Sequence, residues 1–421
     1  MQSTSSERTE SYSGTGRAEA ESAPSPFERW SLEMLIGLIG HPPIAVELWD
    51  GERFGQPESD QVVKLNDRNA LYRLMRNASI GFGESYTDGS ISIPGDPVKL
   101  MEAIYGALCR VDRTPGFKRT VRRLLGKRPR PNSLDTARDN IHSHYDIGNE
   151  FYGLWLDREY MQYTCAYYPS LDTTLEAAQV AKLEHVCRKL NLRPGERVVE
   201  AGSGWGGLAR YMAKCYGVQV RSYNISSAQV AYARERAKQD RLDDSVEYVE
   251  DDYRNISGTY DVFVSVGMLE HVGLDHYDVL GEVVDRSLKD DGRGLIHSIG
   301  RNKPRRMDDW IEKRIFPGAY PPTIGEMMRI FEPRDLSIVD IENLRAHYAK
   351  TLTDWHGRYE VNFRRICEMF DESFARAWRL YLAGSIAAFT AGELQLFQVL
   401  FQRPCSTVLP ITRDHLYRDV K

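Results

Sequence analysis

The sequence predicts an α/β protein: a doubly wound sheet under a helical cap, preceded by a small α+β domain. Three observations predict it. Between about residues 175 and 300, short apolar runs alternate with stretches of helical periodicity, the pattern of strands joined by crossover helices. The first of these strands runs into "VVEAGSGWGG" (198–207), a glycine turn of the kind that brings backbone close to a ligand at a sheet's carboxyl edge. The chain of 421 residues, 42 % apolar, is long enough for a sizeable core and more than one domain.

Residues 1–26, rich in Ser, Thr, Glu and Gly and without an apolar run, read as a disordered tail and not as a secretory signal. Residues 27–120 read as the small domain. In it "VELWDGERF" and "QVVKLND" are strands, and "RNALYRLMRN" and "DPVKLMEAIYGALCR" are helices. Its apolar stretch "MLIGLIG" is far too short to span a bilayer, so membrane contact would be peripheral. A basic stretch follows, Arg110 to Arg138, with ten Lys or Arg against two Asp. Its 121–138 portion is read as a basic linker. Phe117, Val121, Leu124 and Leu125 share one helix face there, with Lys118, Arg119, Arg122 and Arg123 mostly elsewhere around it. That is either a basic amphipathic helix on an anionic membrane surface or a linker helix docked by its apolar stripe.

Residues 139–421 read as the third unit. "LEAAQVAKLEHVCRKL" is a helix, "RVVEAG" the strand entering the glycine turn, and "GGLARYMAKCYG" a helix ended by Gly217. "VQVRSYNIS" and "SAQVAYARERAKQD" are the next strand and helix; "VEYVEDDY", "YDVFVSVGML" and "RGLIHSIG" complete at least five strands, expected to be parallel. After about 301 the chain turns mainly helical and aromatic, through "MDDWIEKRIFPGAYPP" and "WRLYLAGSIAAFTAGELQLFQVLF", as a cap over the sheet's carboxyl edge.

The net charge of −5 excludes little. The six cysteines, at 109, 165, 187, 215, 367 and 405, form no C-x-x-C pair, which suits reduced thiols in the cytosol. His142 and His144 alternate as strand ligands would, but apart from Asp146 nothing completes a cluster, so no metal is expected.

The glycine turn poses a choice of cofactor. Gly202, Gly204 and Gly207 match the dinucleotide spacing, which also wants an acid at the tip of the second strand for the ribose. That tip is Asn224. Glu200 instead stands two residues before Gly202, and Gly206 completes Glu-x-Gly-x-Gly-x-Gly, which resembles the first motif of S-adenosylmethionine-dependent methyltransferases. An acid there suits the cationic methionyl end, whereas a dinucleotide would bring a phosphate. "YDVFVSVGMLEHVG" (260–273) resembles the fourth-strand motif of the same enzymes.

Taken together, "GFGESYTDGSI", "HSHYDIGNEFY", "MQYTCAYY", "AGSGWGGLA", "NISSAQ", "DDYR", "SVGMLEHVG", "LIHSIG", "IFPGAYPP" and "YAKTLTDWHGRY" resemble the cyclopropane-fatty-acyl-phospholipid synthases. The resemblance runs from about 46 to 403. It implies a Rossmann-like methyltransferase sheet and a lipid-engaging N-terminal domain. The implied reaction is methylene transfer from S-adenosylmethionine to the cis double bond of an acyl chain in a membrane phospholipid. The carbocation formed on the way would be deprotonated by a bound bicarbonate. The implied catalytic set is Cys165, Glu270, His297, Ile299 through its backbone, and Tyr348. The implied cofactor set is Tyr163, Thr164, Gly202, Ser203, Gly204, Trp205, Gly206, Asn224, Ile225, Ser226, Gln229, Asp252, Tyr253 and Arg254, to which the turn itself adds Glu200. Expected partners are the unsaturated phospholipid, an anionic membrane surface and a second copy of the chain, with no nucleic acid. The expected place is the cytoplasm, peripheral to the inner membrane. Isolated from their motifs, Cys165 reads more readily as an inert buried thiol, His297 as a core histidine and Glu270 as a helix cap. Ser203 and Ser385 stand where relatives carry Cys, and Thr390 and Gly392 depart from an Arg-rich pattern. Relatives sharing the first step can also end in a methyl or methylene branch.

Overall fold

The computed structural model describes residues 22–113 and 147–417. The basic face at 117–125, the linker 121–138 and the His142/His144 pair lie outside them.

The small N-terminal unit starts earlier than composition suggested. Helix Pro26–Leu38 is opened by a capping box: Glu28 N–H donates to Ser25 Oγ at 3.3 Å and Ser25 N–H to Glu28 Oε2 at 2.7 Å. The Ser22 carbonyl accepts from Trp49 Nε1 at 3.0 Å. Four short strands follow, β1 (Ala45–Glu47), β2 (Arg53–Gly55), β3 (Val62–Leu65) and β4 (Ile91–Ser92), in the order β2-β1-β3-β4. Helices Arg68–Arg76 and Pro97–Arg113 fall where the periodicity put them. Between them lies a helix the sequence hid, Ala78–Asp88, capped by Asn77 Oδ1 on Ile80 N–H at 3.0 Å. Its glycines disguise it. Gly83 is needed because a Cβ there would meet the Trp310 ring at 2.3 Å.

That close approach docks the small unit on the larger one. Ser79 Oγ donates to Asp308 Oδ2 at 2.6 Å, Lys313 Nζ lies 3.1 Å from Glu84 Oε1, and Arg376 Nε donates to the Tyr86 carbonyl at 2.6 Å.

The larger unit is a seven-stranded sheet. Its strands are β5 (Arg197–Ala201), β6 (Gln219–Asn224), β7 (Val246–Glu250), β8 (Tyr260–Val266), β9 (Leu288–Gly300), β10 (Ser337–Asn343) and β11 (Gln395–Gln402), in the order β10-β11-β9-β8-β5-β6-β7. The pairs from β7 to β9 are parallel, as expected; β11 is antiparallel to both β9 and β10. The sheet is therefore mixed. Gln395–Gln402, expected to continue a helix, is a central strand. Every residue of it but the last is buried, so alternation is absent and an apolar run reads alike as buried helix or buried strand. Gly392, at φ +80°, ends helix Glu372–Ala391 and releases the chain into the sheet.

Helices Arg345–Met369 and Glu372–Ala391 form the cap. Among the described residues, no helix is long and apolar enough to cross a membrane.

Candidate active site

A cavity of about 1380 Å³ opens between the two units, larger than the ~300–1,000 Å³ usual for small-ligand pockets. One end is lined by Tyr163, Thr164, Cys165, Glu270, His297, Ile299 and Tyr348. The other is lined by the apolar interior of the N-terminal unit, including Leu32, Ile36, Val46, Val63 and Leu65. All five residues of the expected catalytic set thus line one cavity.

Each arrives by a different route. Cys165 follows the loop after Tyr160; Glu270 lies on the short helix Leu269–Val272 after β8; His297 and Ile299 alternate on β9; Tyr348 stands in the first turn of Arg345–Met369. Ile299 N–H donates to Glu270 Oε1 at 2.6 Å, while Oε2 is buried with no hydrogen-bond partner. This N–H holds the carboxyl. Burial pushes Glu270 up to about 7, against the lowering effect of that hydrogen bond. His297 is also fully buried, and its pKa is pushed down to about 3, so its ring is neutral. Gln398 Nε2 lies 3.1 Å from His297 Nδ1, while Nε2 of the ring has no partner. With the amide donating, the ring proton sits on Nε2 (an assignment from the hydrogen-bond pattern). Cys165 Sγ donates to the Ala166 carbonyl at 3.1 Å, and burial raises the thiol well above its ordinary range. It is no thiolate nucleophile.

Aromatic rings wall this end. Tyr163 packs 5.4 Å from Trp355, Tyr348 4.6 Å from Phe389, and Phe316 5.5 Å from Tyr381. Tyr163 and Tyr381 share a hydrogen bond between their hydroxyls at 3.0 Å. Such faces stabilise positive charge.

The glycine turn follows β5. Gly202, Gly204 and Gly206 have φ of +93°, +50° and +79°. A Cβ on Gly202 would lie 3.0 Å from Met268 Cβ, beside Gly267 at the cavity's inner end; one on Gly204 would meet nothing within 4 Å. That open face is where a ligand can rest against backbone. Around it, Asn224 Nδ2 donates to the Gly204 carbonyl at 3.2 Å and to Gln229 Oε1 at 2.8 Å. Ser226, after Ile225, caps the next helix on Gln229 N–H. Asp252 accepts from Arg254 N–H at 2.9 Å, and Arg254 lies over the Tyr253 ring. Gln229 Nε2 and the Tyr253 hydroxyl are buried with no partner, and Trp205 Nε1 donates to Asn149 Oδ1 at 2.7 Å. An open glycine face and two polar atoms left without partners among the described residues fit an adenosine-bearing cofactor. The Ser203 hydroxyl turns to the Gly204 carbonyl. Glu200 is buried in the sheet, accepts from Ser222 Oγ, and is pushed up to about 7. Of the expected cofactor set only Tyr163 and Thr164 line the cavity; Glu200, the glycine turn and the other members do not.

Sequence reading missed the residues that hold these groups. Gln398 fixes the His297 ring from β11. Lys182, pushed down to about 8 by burial, donates to Thr164 Oγ1 at 2.9 Å. Thr351 Oγ1 accepts from Ala166 N–H at 3.0 Å, beside Cys165. A polar residue amid an apolar run, as at Gln398, was the available signal.

This sheet order and glycine turn define an S-adenosylmethionine-dependent methyltransferase. The chain belongs to the mycolic acid cyclopropane synthetase family, whose sequence profile matches residues 132–399. A second profile, described only as a domain of unknown function, matches residues 32–108. The chain is 36 % identical over 357 residues to the cyclopropane-fatty-acyl-phospholipid synthase of Escherichia coli strain K12, covering 83 % of this chain and 90 % of that one. It is 34 % identical over 394 residues to a probable fatty acid methyltransferase of Pseudomonas putida, covering 90 % and 97 %. Among solved structures, mycolic acid cyclopropane synthase CmaA1 complexed with SAH and CTAB matches with a TM-score of 0.60 at 27 % identity, over 63 % of this chain and 98 % of that one.

Proposed function

We propose that this enzyme adds a methylene group from S-adenosylmethionine across the cis double bond of unsaturated acyl chains in membrane phospholipids, closing a cyclopropane ring. The observation carrying this is that Glu270 Oε2 and His297 Nε2, unpartnered among the described residues, belong to residues lining one aromatic-walled, largely apolar cavity. The cavity suits an acyl chain; the rings suit a cation; the polar pair suits a proton acceptor held between them.

Bound S-adenosylmethionine would supply an electrophilic methyl. The chain's residues would do the rest. Gly202 and Gly204 bring backbone up to the cofactor, and Gln229 and Tyr253 offer it their free polar atoms. Tyr163, Tyr348 and Phe389 line the cavity, keep water out and face the developing charge. A small oxyanion such as bicarbonate fits the polar pair: neutral His297 donates from Nε2, and Glu270, protonated below about 7, donates from Oε2. Such an anion would supply the base that removes the proton from the new methyl.

Helix Pro26–Leu38 supports action at a membrane surface. Phe27, Trp30, Met34 and Leu38 are all exposed and share one side of it, and Leu38 reaches the cavity rim.

A second reading, a methyl or methylene branch in place of the ring, is favoured by the similarity to the Pseudomonas putida protein along nearly its whole length. Expression in a host lacking such lipids, followed by mass spectrometry, tests both. One added CH2 per unsaturated chain supports ring or methylene-branch formation, NMR separates these, and unchanged lipids refute the proposal.

A further inference from the structure

Arg301 is a buried cation that forms no ion pair among the described residues. It is 7 % exposed and continues the face of β9 that carries His297 and Ile299, four and two residues beyond them, and it lines the same cavity. Its Nη1 donates to the carbonyls of Arg305 at 3.1 Å and Arg306 at 2.7 Å, and its Nε has no partner. Among the described residues no carboxylate lies within ion-pair distance of it. The acids nearby are engaged elsewhere. Glu393 binds Arg305 at 2.5 Å, Glu312 binds Arg306 at 3.1 Å, and Asp308 caps the helix after it while accepting from Ser79. Lys303, also lining the cavity, is exposed at its lip.

A buried guanidinium left without a counter-charge is costly unless an anion completes it. The planar fork suits a phosphate oxygen pair better than any neutral group. We propose that Arg301, assisted by Lys303, holds the phosphate of the phospholipid whose acyl chain occupies the cavity. This rests on the reading given under Proposed function. His297 and Arg301 are four residues apart, roughly 13 Å along an extended strand. A small free anion cannot bridge that span; a lipid with its phosphate at one end and its double bond part-way along a chain can. The phosphate contact then fixes how deep the chain enters, and so which carbons meet the polar centre.

The competing explanation is that Arg301 only braces the loop 301–306. Calorimetry on the full chain separates them, with a cis-monounsaturated lysophosphatidylglycerol and the matching monoacylglycerol as probes, both below their micelle concentrations. The wild type should bind the phosphate-bearing lipid at least tenfold more tightly. Arg301→Gln should erase that preference while leaving monoacylglycerol binding unchanged. Arg301→Lys should keep part of it, and Lys303→Gln, at an exposed position, should reduce it a few-fold. Equal binding of the two lipids by the wild type, or an intact preference in Arg301→Gln, would overturn the proposal. So would displacement of the lysolipid by an equal concentration of inorganic phosphate, which would mark a free-anion site. Should Arg301→Gln not fold, the wild-type preference and the Arg301→Lys and Lys303→Gln variants decide. CH2 addition to vesicle lipids by the wild type, measured in parallel, survives failure of this inference but not failure of the functional reading.

Discussion

Ile299 donates its backbone N–H to Glu270 Oε1 at 2.6 Å and so holds the carboxyl with its second oxygen, Oε2, free inside a buried site. Glu270→Ala removes the group that would hold the anion beside His297. Turnover should fall about 10²–10⁴-fold. S-adenosylmethionine affinity should change little, because the open glycine face lies on another loop. Single-turnover kinetics with calorimetry of cofactor binding would show both; parallel loss of binding and turnover would contradict the assignment.

The same carboxyl predicts a pH signature in stability. Its pKa rises from 4.5 in the unfolded chain to about 7 in the fold, so the folded state holds the extra proton. The resulting stabilisation is complete below pH 4.5 and is lost as pH rises through 7, in total on the order of 3 kcal/mol. Glu270→Gln lacks this term. Its stability relative to wild type should therefore climb between those pH values and level off above them. Denaturant melts across the range test this, and a flat difference would refute it.

Two glycines of one turn should fail differently. A Cβ at Gly206 would lie 2.5 Å from the Tyr248 hydroxyl and 2.7 Å from Ala233 Cβ, so Gly206→Ala should destabilise the fold by about 1–3 kcal/mol. Gly204→Ala meets open space and pays mainly for its φ of +50°, about 1 kcal/mol. Its methyl stands where the cofactor would lie. Thermal melts should single out Gly206→Ala, and cofactor titration should show weakened binding in the folded Gly204→Ala.

Gln398→Met should leave His297 without the partner that sets its tautomer. Turnover should drop about tenfold or more, with cofactor affinity intact, as for other lost orienting partners. A nitrogen-edge NMR spectrum of the ring should show the tautomer mixture change. An unchanged spectrum with full activity would remove Gln398 from the site.

Phe27→Glu together with Trp30→Glu should detach the protein from vesicles. Each ring offers roughly 1.5–3 kcal/mol on burial, so the pair should weaken partition at least tenfold. Both side chains are exposed in the fold, at 56 % and 57 %, so melts should be unaltered. Vesicle sedimentation that does not change would remove this helix face from the membrane contact.

The polar centre was legible because its residues sit in short, chemically unusual strings: Glu270 after a strand end, His297 and Ile299 two apart on a strand, Cys165 in "MQYTC". The residues supporting them were not. Gln398 lies in a strand buried on both faces, where periodicity vanishes, and the helix Ala78–Asp88 carries glycines that reveal their purpose only when Trp310 packs against them. Arg301 was hidden for a different reason. Amid Lys303, Arg305 and Arg306 it reads as one more surface charge, and only the pairing of its neighbours leaves it alone and inside.

Leu32, Ile36, Val46, Val63 and Leu65 are at once the core of the N-terminal unit and the far wall of the cavity. Volume added to or taken from any of them alters the room left for the chain's far end and the folding of the small unit together. A lineage adapting to longer or shorter membrane lipids would therefore be forced to change this enzyme's robustness with its diet. Thermal tolerance and lipid preference should drift as one trait across its relatives.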